Sequence, residues 1–326
     1  MEPSRRLGAL LLAVVVGGFT AGGGARTSLA LMTDSSAATG TFSTAASFDT
    51  AAPTVSSSVV SKATPYHPGF LAQGASYHIY ANVTDGGAVP SGVASVTANT
   101  SSFDTGMTAV TLVAGTFSIG GVSYNYRTAQ LSANGTLTAG SYAFSVTATD
   151  AAGNGATYSG FSVTIDNTRP TASDVQTANA GVAGQPGIGD TITLTFSELI
   201  DPESILTGWT GTSTSVVVRI AQNPGGDRLT IRNAANSAQL PLGTVNLVGT
   251  YYVTANRDFG ASGTPSSMLA VGTTIVITLG TASGPVGTES VPAAMVWTPV
   301  TGAHDRAGNT CQTTNAVESG TLDVDF

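Results

Sequence analysis

Six aspartates stand where a cation with oxygen ligands would want them. Asp85, Asp104, Asp150, Asp166, Asp190 and Asp305 lie at the ends of apolar-polar runs or in the Gly-, Asn- and Ser-rich stretches between them. Calcium takes about six to eight oxygens, and strand ends can gather acids from distant parts of a chain. Asn154 and Asn309 each follow one of these acids by four residues and add side-chain oxygens. The candidate calcium ligands are therefore Asp85, Asp104, Asp150, Asn154, Asp305 and Asn309. No Asp-x-Asp-x-Asp run is present, so the fold would have to assemble such a site. The plainer reading is that each Asp caps its own turn by accepting backbone N–H groups.

Aromatic residues offer a second chemistry. Trp209 and Trp297 are candidates for a sugar-stacking platform; packing in a core or at its rim is the alternative. The same choice applies to Tyr77, Tyr80, Tyr124 and Tyr126. Catalytic spacing is missing: there is no Gly-x-Ser-x-Gly, no His-Glu-x-x-His and no phosphate-binding glycine loop. His67, His78 and His304 are isolated. Glu198, Asp201 and Glu203 form the densest acid group, and a capped helical turn at Asp201-Pro202-Glu203-Ser204 accounts for them. The sequence predicts a protein that is not an enzyme and has no cofactor unless calcium binds. Cys311 is a lone thiol, either a small buried hydrophobe or a link between two chains.

Composition narrows the classes further. Eleven basic residues against nineteen acidic ones, with a net charge of −8, exclude a nucleic-acid binder working through a basic surface. One cysteine excludes a disulfide framework and a thiolate zinc site. Only 9% of residues are charged, yet 41% are hydrophobic, so the low charge does not signal disorder.

The elements that must position these residues alternate with period two. Tyr77, Ile79, Ala81 and Val83 share a face, as do Tyr142, Phe144, Val146 and Ala148. Ile192, Leu194 and Phe196 interleave with Thr191, Thr193 and Thr195. Val216, Val218 and Ile220 form another such strip, and so do Leu322, Val324 and Phe326. Alternation of this kind, broken by turn residues every 8–15 residues, predicts antiparallel sandwiches with hydroxyls on the wet faces.

The N-terminus reads as an export leader. Arg5 and Arg6 precede an uncharged run from Leu7 to Ala21, shorter than the roughly 20 residues a membrane span needs. Ser28 and Ala30 suit cleavage after Ala30. That predicts a signal peptide over 1–30, a secreted or cell-surface location, and no membrane insertion of the mature chain.

A repeat sets the domains. Asp49-Thr-Ala-Ala-Pro53-Thr54 returns as Asp166-Asn-Thr-Arg-Pro170-Thr171, and Asp150-Ala-Ala-Gly153-Asn154 returns as Asp305-Arg-Ala-Gly308-Asn309. The second copy is longer between its two motifs. The expected division is a segment at 31–49, one domain at 50–166 and a second, with insertions, at 167–326. The Asp-x-Ala-Gly-Asn motif suits the turn before a last strand, with Gly and Asn supplying positive φ.

These motifs carry a resemblance. Val146-Thr-Ala-Thr-Asp-Ala-Ala-Gly-Asn154 followed by Phe161-Ser-Val-Thr-Ile-Asp166 resembles the end of bacterial immunoglobulin-like domains of surface proteins and adhesins. Asp190-Thr-Ile-Thr-Leu-Thr-Phe-Ser-Glu198 with Ile200-Asp-Pro-Glu-Ser204 is similar to the opening of surface-layer immunoglobulin-like domains. Leu31-Met-Thr-Asp34, Thr41-Phe42-Ser-Thr44 and Phe48-Asp49 resemble the mature start of camelysin-type fibre proteins, without that family's Asn-x-Phe-x-Ala-Gly. The resemblance implies two tandem antiparallel immunoglobulin-like β-sandwiches after a signal peptide. It also implies an exported structural or adhesive role, in which segment 31–49 can pair as a strand with a neighbouring copy. Partners would be other copies, surface proteins or glycans. A calcium- or carbohydrate-dependent binding module is the alternative, and an enzyme stands last.

Overall fold

The computed structural model describes residues 48–62 and 67–326. The signal peptide expected over 1–30, and the pairing segment except for its last two residues, lie outside the described residues. Residues 49–326 form one compact unit. It is nearly all β, built on two sheets, with one helical turn.

The first sheet contains β1 (Thr54–Lys62), β2 (Phe70–Leu71), β3 (Ser76–Thr84), β4 (Val93–Asn99), β5 (Val110–Ile119), β6 (Val122–Thr128), β7 (Leu131–Ser132), β8 (Gly140–Asp150) and β9 (Gly155–Ile165). Its order is β1-β3-β6-β5-β4-β8-β9-β2, with β7 paired to β3. All pairs are antiparallel except β2 with β9. The sheet wraps around a core of Val60, Leu71, Tyr77, Ile79, Phe103, Val146 and their neighbours. Period two explains the wrap. Phe144, Val146 and Ala148 point inward on β8, while Thr147 bonds Thr157 of β9 across the wet face at 2.8 Å. Each fully buried Val, Ile or Phe contributes about 1.5–3 kcal/mol.

The second sheet contains β10 (Ala172–Ala178), β11 (Thr191–Phe196), β12 (Thr214–Ala221), β13 (Arg228–Asn233), β14 (Thr244–Asn246), β15 (Arg257–Phe259), β16 (Ser266–Val271), β17 (Thr274–Thr278), β18 (Val296–Thr298) and β19 (Ala316–Val317). Its order is β10-β11-β17-β16-β12-β13-β14-β18-β19, with β15 on β12. Its own core holds Ile192, Leu194, Phe196, Trp297 and Phe326. The helical turn α1 (Pro202–Ile205) is capped by Asp201, whose side chain accepts from Glu203 N at 3.1 Å.

The repeat reaches into the strand register. β1 meets β3 with a bulge between Val55 and Ser57, and β10 meets β11 with a bulge between Ala172 and Asp174. The extra residue is a serine each time. Ser56 Oγ donates to the Asn82 carbonyl and Ser173 Oγ to the Thr195 carbonyl. One alternating run behaves otherwise. Leu322–Phe326 forms no strand and makes only a bridge from Asp323 to Ala293. Asp325 and Phe326 are both buried, so the chain there turns both neighbours inward.

Candidate functional site

The Asp-x-Ala-Gly-Asn motif folds identically in both copies. Asp150 N donates to the Asn154 carbonyl at 3.0 Å, and Asp305 N to the Asn309 carbonyl at 3.1 Å. Gly153 and Gly308 both sit at φ +92, open to glycine and strained for other residues. The aspartate then closes the loop. Asp150 Oδ1 accepts from Asn154 N at 2.8 Å, and Asp305 Oδ1 from Asn309 N at 2.7 Å.

The asparagine reaches outward as a clamp. Asn154 Nδ2 donates to Asp150 Oδ2 at 2.8 Å and to the Asp49 carbonyl at 3.1 Å. Asn309 Nδ2 donates to Asp305 Oδ2 at 2.7 Å and to the Asp166 carbonyl at 2.9 Å. This corrects one sequence reading: neither Asn has positive φ. Each turns its amide nitrogen, a donor, toward the carboxylate, so through these contacts Asn154 and Asn309 hold the loop together.

Each clamp assembles three acids. Asp49, Asp85 and Asp150 bring one carboxylate oxygen apiece within 4.8 Å of the others; Asp166, Glu198 and Asp305 do the same. The positions correspond. Asp49 and Asp166 lead into β1 and β10, while Asp85 and Glu198 follow β3 and β11. Asp150 and Asp305 start the repeated turn. Sequence reasoning passed over Asp49 and Glu198 as ligands. The signal was present in the repeat, since Asp49 occupies the place of Asp166.

One oxygen in each group is unsatisfied. Asp85 Oδ1 and Glu198 Oε1 are enclosed and take no hydrogen bond, a costly state for a carboxylate. Asp85 Oδ2 accepts from Gly92 N at 2.6 Å. Burial pushes the Glu198 carboxyl up to about 7, with Asp305 and Asp166 adding repulsion. Burial also raises Asp305. The Ser91 side chain, then the amides of Ser91 and Ala51, hold Asp49 low. A hard divalent cation fits three acids with an unused, enclosed oxygen. A third acid group, Glu318, Asp323 and Asp325, fits less well. Asp325 already accepts two hydroxyls and Glu318 a backbone amide.

The second triad lies at the boundary between the cores. Lys62, 7% exposed, donates from Nζ to the Arg306 carbonyl at 2.9 Å. Burial lowers its ammonium to about 8, opposed by Asp201 and Asp305. Ala72 N donates to the Ala307 carbonyl, His67 N to Asp201 Oδ2, and Arg169 to Thr310 through Nε and Nη2. Arg306 lies over the Phe70 ring, 5.7 Å from its centroid.

The remaining candidates fall elsewhere. Asp104 joins neither triad; it is buried and accepts the Tyr77 hydroxyl at 2.9 Å, an internal partner for a core tyrosine. Asp190 ties its own loop by accepting Ala180 N and Gly187 N. Trp209 and Trp297 are 6% and 0% exposed, and their Nε1 groups donate to the carbonyls of Thr212 and Leu242. Both belong to the second core, which removes them as a stacking platform. Cys311 is fully buried, and burial raises its thiol to about 11.

Among the described residues no helix is long and apolar enough to cross a membrane. No protein-family model matches the chain, and no curated protein matches it. Fold and site define the class: an all-β protein of two sheets, with a carboxylate triad beside each copy of the repeated turn.

Proposed function

We propose that this chain is an exported structural or adhesive protein of the cell surface or extracellular matrix. It is built from two immunoglobulin-like sandwiches locked into one stiff body. The observation that carries this reading is the hydrogen-bonded boundary around Lys62, Ala72, Asp166, Arg306 and Asn309, which leaves no free linker between the cores. A spacer or adhesin uses such stiffness to hold its ends apart. Export rests on the leader-type run at the N-terminus, and partners are further copies, surface proteins or glycans. Antibodies against the second unit should label intact cells making the full chain, with the mature protein starting near Leu31 by mass spectrometry. Retention inside the cell with an uncut N-terminus overturns the reading.

A second reading is favoured by the paired triads. Asp49, Asp85 and Asp150 hold one calcium ion, and Asp166, Glu198 and Asp305 hold another. Bound calcium supplies positive charge that offsets the gathered acids. The residues tie the chain before each first strand to the repeated turn that precedes each last strand. Isothermal titration of the full chain with calcium tests this reading; two sites support it, and no heat beyond dilution at millimolar calcium removes it.

A further inference from the structure

The second core ends on a buried acid that neither triad uses. Asp325 is fully enclosed. Its Oδ1 accepts from Thr177 Oγ1 and its Oδ2 from the Tyr252 hydroxyl, both at 3.2 Å. The Tyr252 oxygen accepts in turn from the Asp325 amide at 3.0 Å. Oxygens of Glu318 and Asp323 lie within 4.8 Å of an Asp325 oxygen. Asp174, on β10, acts on Glu318, and Glu289 acts on Tyr252. The charged groups facing this site are therefore acids.

The neighbouring residues make Asp325 a fastening point. Phe326 is buried and meets the Tyr252 ring edge-on at 5.9 Å. Its carbonyl accepts from Gly184 N, and the Asp323 carbonyl accepts from Ala293 N at 3.0 Å. Two hydroxyl donors are slight compensation for a carboxylate charge taken out of water and set among other carboxylates. A proton removes that charge and adds a donor where acceptors are crowded.

We propose that Asp323–Phe326 is a proton-operated latch, seated on the second core while the Asp325 carboxyl carries a proton and loosened when that proton leaves. Burial, then Glu318, raises this carboxyl to about 7, against an ordinary 3.8. The seated form therefore binds the proton more tightly than the released form. Seating is strongest at low pH, weakens as pH rises from about 3.8 to about 7 and levels off above that, the sign expected of an acid whose affinity for protons is raised by folding.

Hydrogen exchange of the Gly184 and Ala293 amides in the full chain reads the latch directly. Measurements run from pH 5.5 to 8.5 with a chelator present, corrected for intrinsic rates. Protection should fall by up to about tenfold per pH unit from pH 5.5 to about 7 and level off above it. Asp325→Asn, which cannot ionise, should give a flat profile. Constant protection in the wild type, or an equal fall in the Asn variant, overturns the proposal. Glu318→Gln covers the case in which Asp325→Asn does not fold. Removing that repulsion should move the midpoint to lower pH and shrink the fall, and an unmoved midpoint counts against the latch.

Discussion

The Lys62 ammonium donates to the Arg306 backbone carbonyl at 2.9 Å, from the end of β1 in the first unit to the repeated turn of the second. Lys62 is the chain's one lysine. Lys62→Ala removes that donor and the buried stem. It should cost about 1–3 kcal/mol and split one calorimetric transition into two. A single transition at the wild-type temperature would show that this contact does not couple the cores.

The two motif glycines form a matched pair. Gly153 and Gly308 share φ +92, but a Cβ on Gly153 meets nothing within 4 Å, whereas one on Gly308 lies 2.8 Å from Lys62 Nζ. Gly153→Ala should cost about 1–3 kcal/mol for backbone strain alone. Gly308→Ala should cost more, because it also displaces Lys62. Urea denaturation of the two variants checks the order; equal losses contradict the close packing at the boundary.

Glu198 makes stability depend on pH. Its folded carboxyl is raised to about 7 from 4.5, so the folded state holds the proton more tightly than the unfolded chain. Without a divalent cation this contribution falls as pH rises from about 4.5 to about 7. Calcium should therefore raise the melting temperature more at pH 8 than at pH 5. Glu198→Gln should reduce that difference, and Asp85→Asn should weaken the other site. A calcium effect independent of pH and of both substitutions contradicts the assignment of the triads.

Trp297 is a core residue. It is fully buried, donates to the Leu242 carbonyl and packs edge-on to Phe196 at 4.9 Å. Trp297→Ala should cost about 3–5 kcal/mol in chemical denaturation. A near-neutral change would return Trp297 to the surface and reopen a sugar-binding role.

Strands were legible in the sequence because burial on one face writes a period of two. The runs at Phe144–Ala148 and Ile192–Phe196 bury the residues that the alternation selects, whereas Tyr77–Ala81 is buried on both faces, His78 and Tyr80 included. Leu322–Phe326 misled for a physical reason: Asp325 is buried by hydroxyl partners and Phe326 by Tyr252, so polarity no longer marks the outer face. The site was half legible. The repeat pointed to Asp150 and Asp305, but Asp85 and Glu198 differ in residue type and meet their partners only through strand pairing. Asp104 looked like its fellow acids in sequence, and only the Tyr77 hydroxyl separates it from them. Trp297 could not be placed by spacing, because an indole in a core and one on a platform read alike.

Amide nitrogen-15 relaxation of the full chain tests the central claim, that the two units tumble as one stiff body. Strand amides at 54–62, 76–165 and 172–317 should fit one common rotational diffusion tensor, with a correlation time set by the whole 49–326 unit. Two separate tensors with shorter, unequal correlation times would contradict it.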